Sequence, residues 1–288
     1  MHRDELTLDH AALLVRRLDL AAEAFERLGF RLTRRSVHEG QLEPGGPTVV
    51  WGTSSRCAMF QDSYLELISA SSDTAYGRGV ASRAEQREGI HLVALGTNDL
   101  AQTYSALAGR LVGLEPPVSV RRAWPVGEGT ELALFRMAHL EGQEWPEADL
   151  VLVEHRTPDV LWQSGAMEHP NTAIALSFIV IASNDPRRSR QRLGRLIGNP
   201  VGPVLKLKRG RLSITDPVGL TRRYPGAAAT GAPFPAALGI RVRDLEAARD
   251  ILASNRVPHL RSPNNSIWVG PMQAGGAVVE FVEDQPVR

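Results

Sequence analysis

Four times along the chain, a short run of apolar residues leads to an Asp and then to a stretch whose apolar positions recur three and four apart. This is the pattern of a strand followed by an amphipathic helix. Leu6 to Val15 leads through Asp19 into a helix ending near Gly29, with Leu20, Ala24, Phe25 and Leu28 on its apolar stripe. Gly89 to Gly96 leads through Asp99 to about Leu111, and Ala173 to Ala182 leads through Asp185 to about Ile197. Ala236 to Val242 leads through Asp244 to about Asn255, with Leu245, Ala248, Ile251 and Leu252 on the stripe. Each Asp is placed to accept a hydrogen bond from the free N–H groups of a first helical turn. Gly29, Gly109 or Gly113, and Gly198 can close the last turns in the left-handed conformation.

After each helix the periodicity changes to that of strands. The candidates are Thr48 to Met59 and Tyr64 to Ser69, Glu131 to Met137 and Asp149 to His155, Val204 to Leu207 and Arg211 to Thr215, and Ser266 to Val269 and Ala277 to Val282. The economical reading is an α+β protein of four βαβββ modules. One module cannot bury its own helix and sheet, so modules should pair. A chain of 288 residues is also long enough for two cores. The expected domains are 1–165 and 166–288, joined through the stretch WQSGAMEHPN from Trp162 to Asn171, which mixes Gly, Ser, Pro and Asn.

In the first module His10 lies in the opening strand and Glu66 in a later one. Laying the second module over the first puts His91 opposite His10, and the closing strand there ends in Glu154 and His155. Two imidazoles with one or two carboxylates from separate strands suit one divalent ion, Fe, Mn, Ni, Co or Zn, with positions left for a chelating substrate. The third and fourth modules place Ser177 and Ala236 at the matching strand positions, and Glu280 has no histidine partner, so the second half should be metal-free. A carboxylate between Leu65 and Leu67 needs a partner if buried, and Arg56 is the nearest candidate for a purely structural ion pair.

LDHAALLV, the Asp-led helix ending in LGF, then VHEG, WGTSSR and YLELI resemble the glyoxalase-like domains of the vicinal oxygen chelate superfamily over about the first 170 residues. The resemblance implies curved mixed sheets, paired modules, and a metal held by His10, Glu66, His91 and Glu154. Closer overlay of YLELI on DLVLV instead puts Leu152 opposite Glu66, which leaves the fourth ligand open. The resemblance also implies a metal-dependent lyase or isomerase in which Glu66 or Glu154 moves a proton beside a carbonyl. Two rivals stand beside it: an extradiol-type ring-cleaving dioxygenase, and a metal-free drug-sequestering cup. His38, Thr53 within GTSSR, Arg56, Tyr64 and Arg122 are the candidate substrate contacts, with Arg122 and its neighbour Arg121 also fitting a solvated edge strand. Trp51, Tyr64, Trp124 and Trp145 could line a cup.

Charge narrows the partners. Thirty-three Lys and Arg against thirty-two Asp and Glu leave +1, so no field favours nucleic acid or an anionic membrane, and a small molecule is the expected partner. The five Arg between Arg187 and Arg195 are isolated and read as a solvated helix face. Cys57, the single cysteine, excludes an intrachain disulfide and reads as a core residue. The N-terminus lacks an apolar leader and no apolar run approaches a membrane span, which makes a cytoplasmic protein the expectation, with a homodimer left open.

Overall fold

The computed structural model describes residues 6–141, 143–198, 202, 204–227, 231–262 and 264–283. The first five residues, part of the segment searched for a leader, lie outside it. In chain order the first half comprises β1 (Thr7–Leu14), α1 (Leu18–Arg27), β2 (Ser36–Gly40), β3 (Val49–Met59), β4 (Tyr64–Ala70), α2 (Ala75–Gln86), β5 (Gly89–Gly96), α3 (Leu100–Leu107), β6 (Val118–Val126), β7 (Gly129–Leu140), β8 (Asp149–His155) and α4 (Pro158–Leu161). The second half comprises β9 (Ala173–Ala182), α5 (Pro186–Ile197), β10 (Val204–Lys206), β11 (Arg211–Thr215), α6 (Pro217–Arg223), β12 (Phe234–Val242), α7 (Leu245–Ser254), β13 (His259–Arg261), β14 (Ile267–Val269) and β15 (Val278–Glu283).

β1 to β8 close into a barrel in the order β1-β4-β3-β2-β6-β7-β8-β5. It is two βαβββ units: β1/β4 and β5/β8 are the parallel pairs, and β1/β5 and β2/β6 are the antiparallel seams that join the units. β9 to β15 form an open seven-stranded sheet, β10-β11-β9-β12-β15-β14-β13. Among the described residues its third unit has two strands after the helix rather than three. Where the barrel keeps a cavity, this sheet carries an apolar cluster that includes Phe178, Leu220 and Tyr224 from α6 and the turn after it, and Trp268. The fold is thus α+β with two curved sheets, as the module pattern predicts. No helix among the described residues is long and apolar enough to cross a membrane.

Three helices are capped as the sequence implies: Asp99, Asp185 and Asp244 accept from the backbone N–H of Gln102, Arg188 and Ala247 at 2.9, 3.0 and 2.9 Å. α1 differs. Burial of Leu18 pulls the first turn forward, so Arg17 is the N-cap without a side-chain bond, and Asp19 lies inside the turn, paired with Arg35.

One apolar core spans both halves, joining Phe25 and Phe30 to Leu238 and Phe281; the Phe30 and Phe281 rings stack 5.8 Å apart. The joining stretch is docked rather than loose. Asn171 is fully buried, donates to the Leu28 carbonyl at 3.0 Å and accepts from the Ala173 N–H at 3.1 Å. His169 donates to the Met59 carbonyl at 2.7 Å and accepts from Arg31 N–H at 3.0 Å. Asn171→Ala strands a buried carbonyl and a buried amide and should lower the unfolding free energy by about 1–3 kcal/mol. Denaturant unfolding measures it, and a loss below 0.5 kcal/mol would refute the docking role.

Candidate active site

Strand alternation decides which side chains enter the barrel. On β1 the inward set is His10, Ala12 and Leu14, and on β4 it is Tyr64, Glu66 and Ile68, with His10 paired to Tyr64 and Ala12 to Glu66. β2 contributes His38, β3 contributes Trp51, Thr53, Ser55 and Cys57, and β6 contributes Val120, Arg122 and Trp124. Of these, His10, Leu14, His38, Trp51, Thr53, Tyr64, Glu66, Ile68, Val120 and Arg122 line, with Phe135, Met137 and Val153, a cavity of about 70 Å³. At roughly 10–15 Å³ per water that space holds on the order of five waters, or about 150 Å³ of liquid, the bulk of one substituted ring.

At its floor Arg122 donates to Glu66 Oε1 at 2.5 Å. His38 Nε2 lies 3.1 Å from the same oxygen, and its Nδ1 lies 2.9 Å from Thr53 Oγ1. Burial raises the Glu66 pKa, but Arg122, then His38 and His10, outweigh it and hold the carboxyl well below the usual range. Burial by itself would lower the Arg122 pKa, and Glu66 more than reverses it, so the guanidinium stays charged. Its Cζ also lies 4.8 Å from the Trp124 ring and 5.1 Å from that of Phe135. Burial pushes the Cys57 thiol and the Tyr64 phenol up, so both keep their protons and Cys57 is no nucleophile.

Beside His10, at the break in the β1/β5 register between Leu8 and His10, lies Asp9, a buried carboxylate. Its Oδ1 accepts from His10 Nδ1 at 2.7 Å and its Oδ2 accepts from His155 Nε2 at 2.9 Å. Burial raises the Asp9 pKa, but His155 and His10 override it and keep the group ionised. The rim is half-buried: Tyr76 and Arg83 of α2, Leu92, His139 and Asp149, with Arg83 ion-paired to Asp149. α2 is held in place by Thr74, which donates to the Trp51 carbonyl at 2.5 Å and caps the helix by accepting from Gly77 N–H at 2.9 Å.

Of the residues proposed from sequence, the structure gathers His10, His38, Thr53, Tyr64, Glu66 and Arg122 in one place. His91 and Glu154 are elsewhere. His91 is skipped in the β1/β5 register, where Ala12 pairs with Leu92 and Leu13 with Ile90, and its Nε2 bonds the Arg87 carbonyl. Burial, then Arg87, pushes its pKa down to about 4. Glu154 faces α3, accepting from Leu100 N–H at 3.2 Å and from Arg156. Arg56 points outward to the Thr33 carbonyl and Glu26, so Glu66 pairs with Arg122 instead. Trp145 is also outside, bonded to the Val112 carbonyl.

The β1/β5 seam gives the true overlay. Its pairs His10/Ala94, Ala11/Val93 and Ala12/Leu92 are symmetric about Ala11 and Val93, so His10 matches Leu92. Glu66, beside Ala12, then matches Val151, beside Ala94. In the second sheet Glu280 pairs with Gly239 as Glu66 does with Ala12, which makes Ala237, not Ala236, the counterpart of His10. The cup therefore offers His10 and Glu66 where four ligands were expected, with Leu92 and Val151 as the other two. Glu66 is already neutralised by a guanidinium. Among the described residues no three His, Cys, Asp or Glu are placed to share an ion. This donor set does not fit the divalent metal that the resemblance implies.

A barrel of two βαβββ units with a cup between them is the architecture of the vicinal oxygen chelate superfamily. Residues 8–197 match the glyoxalase-like domain family, and the chain belongs to it. Among solved structures, a hypothetical protein from Staphylococcus aureus is 11% identical at TM-score 0.65, covering 97% of this chain and 100% of that one. A mutant 4-hydroxymandelate synthase from Streptomyces coelicolor is 16% identical at TM-score 0.64, covering 99% and 94%. A xylose isomerase-like TIM barrel/4-hydroxyphenylpyruvate dioxygenase fusion protein is 12% identical at TM-score 0.51, covering 99% of this chain and 50% of that one. At these identities the likeness is one of fold. No curated protein matches the chain.

Proposed function

We propose that the cup binds a small, uncharged, mostly apolar molecule carrying an oxygen, with the Arg122 guanidinium standing where a divalent ion would otherwise be needed. The observation that carries this reading is the buried Arg122–Glu66 pair at the cup floor. It supplies a fixed positive charge and cancels that of the carboxylate, which weakens the pull of Glu66 on a cation of its own. The metal-dependent lyase or isomerase and the extradiol reading both require a second module that contributes ligands, and Leu92 and Val151 cannot. Net charge at the floor is cancelled within the pair, and the walls are Trp51, Val120, Phe135, Met137 and Val153, which suits a neutral ring.

The test has two parts. Protein purified without chelator should carry well under 0.1 equivalent of any transition metal by plasma emission, before and after incubation with Zn, Mn, Fe, Co or Ni. Titration with an uncharged aryl ketone should quench tryptophan fluorescence saturably. A ligand of this size gains only a few tenths of a kcal/mol per atom, so Kd is expected on the order of 0.1–1 mM. About one equivalent of retained metal, or no saturable binding, overturns the reading.

A further inference from the structure

Resting on that reading, we propose that the cup is a metal-free proton-transfer site, in which His10, oriented by Asp9, takes a proton from the carbon beside a carbonyl whose oxygen is held by Arg122 and Tyr64. The first support is the tautomer. An ionised Asp9 can only accept, so both rings that touch it must donate: His10 through Nδ1 at 2.7 Å and His155 through Nε2 at 2.9 Å. In the neutral ring this leaves the lone pair of His10 on Nε2, and His10 lines the cavity. His155 does not line it, and its remaining Nδ1 is buried without a partner among the described residues. The shared carboxylate thus presents one basic nitrogen to a bound molecule. The His10 ring is held flat on Tyr64, 4.2 Å between centroids at 16°.

The second support is on the acidic side. Tyr64 Oη accepts from Arg122 Nη2 at 3.4 Å, which leaves its own O–H free to donate. Arg122 Nε–H is buried without a partner among the described residues, a donor a bound oxygen could satisfy. A lone pair and a set of donors, one of them on a permanent cation, therefore flank the same space. In the step they support, a C–H bond next to the carbonyl breaks and its proton goes to His10 Nε2. The bonding pair forms the new C=C, and the carbonyl π pair moves onto oxygen, where Arg122 and Tyr64 stabilise the enolate. Reprotonation of the same carbon gives exchange. In a substrate with a hydroxyl on that carbon, passage of the hydroxyl proton to the enolate oxygen and protonation of the former carbonyl carbon by His10 give isomerisation, the hydroxyl oxygen becoming the new carbonyl; neither outcome needs an oxidant or reductant. Because the floor pair and the Arg83–Asp149 pair each cancel their own charge, the substrate class is a neutral α-hydroxyketone with one apolar substituent.

The probe is 2-hydroxyacetophenone in D2O with EDTA, followed by proton NMR of its α-CH2 signal, with tryptophan quenching recorded in parallel. Exchange about 10²–10⁴-fold above buffer is expected, falling to the buffer rate in His10→Gln. Asp9 is a positioning residue: Asp9→Asn should slow exchange at least about 10-fold and change the ¹⁵N signature of His10 away from the Nδ1-protonated tautomer, which a purely packing role would not do. Tyr64→Phe removes one hydroxyl and keeps the ring, so it carries the comparison if His10→Gln does not fold. Saturable binding without exchange overturns this proposal and leaves the binding reading standing. No binding overturns both, and so does exchange that EDTA abolishes and a metal restores. Unchanged exchange in both Tyr64→Phe and Asp9→Asn overturns the assignment of the residues.

Discussion

Arg122→Met is expected to lower the unfolding free energy by about 3–5 kcal/mol at neutral pH, because it strands a buried carboxylate without its principal partner. Both side chains are almost wholly enclosed, so solvent screening offers little relief. The pH dependence follows from the Glu66 shift. In the wild type the folded pKa lies well below the ordinary value, so its stabilisation is present above the unfolded pKa and is lost as pH falls through the folded one. Without Arg122, burial dominates and the folded pKa rises above the ordinary value. The variant's stability is then retained below the unfolded pKa and lost as pH rises. The gap between the two proteins should be widest near pH 7 and should narrow toward pH 4. Urea midpoints at both pH values measure it. Adding Glu66→Leu to Arg122→Met should recover most of the loss, since an apolar pair of similar volume is often neutral relative to a buried ion pair. A mild Arg122→Met effect that does not depend on pH would mean that something else neutralises Glu66 in solution.

Most strands and the four main helices are legible in the sequence because their periodicities are strong and three of the four helices carry a capping Asp at the right offset. Strands β2, β6 and β13 and helices α2, α4 and α6 are not. α2 reads AYGRGVASRAEQ, with two glycines and only a thin apolar stripe through Val80 and Ala84; its one clear signal is Thr74 as N-cap. α6 is seven residues opened by Asp216 and Pro217, a cap-and-N1 signal that is easily read as a turn. At the site, alternation puts His10 on one face of β1 and Tyr64 and Glu66 on one face of β4, whereas His38 and Thr53 were legible only through the resemblance of VHEG and WGTSSR. Arg122 carried the same information: Val118, Val120, Arg122 and Trp124 alternate inward, and only the doubled Arg121–Arg122 suggests an exposed edge. His91 and Glu154 illustrate the opposite error. A one-residue slip in register changes the face of every side chain, and the irregularity at His91 is invisible without its partner strand. Asp9 gave little warning beyond a charge inside an apolar strand, since its partners are an adjacent residue and one 146 positions away.

Glu280→Ala is expected to cost about 3 kcal/mol or more, and to leave ligand binding in the barrel unchanged. Glu280 holds the register position of Glu66 in the second sheet and is 0% exposed. It accepts from Ser266 Oγ at 2.5 Å, from Tyr224 Oη, and from Arg223 at 2.9 Å. Removing it leaves the Tyr224 hydroxyl and the Arg223 guanidinium without this acceptor and Ser266 Oγ with only Asn264 Oδ1 at 3.0 Å, each lost buried partner costing roughly 1–3 kcal/mol. Burial, and then Glu280 itself, push the Tyr224 phenol up, so Tyr224 stays a donor throughout the accessible pH range. Glu280→Gln keeps one acceptor oxygen and should cost less than Glu280→Ala, and that order separates a hydrogen-bonding role from a packing one. Here the protein's own Tyr224 and Arg223 fill the place above the carboxylate, whereas above Glu66 the barrel leaves room for a ligand. If Glu280→Ala instead weakened quenching by an aryl ketone while the fold remained intact, the second half would have to contribute to the ligand site, and this division of roles would fail.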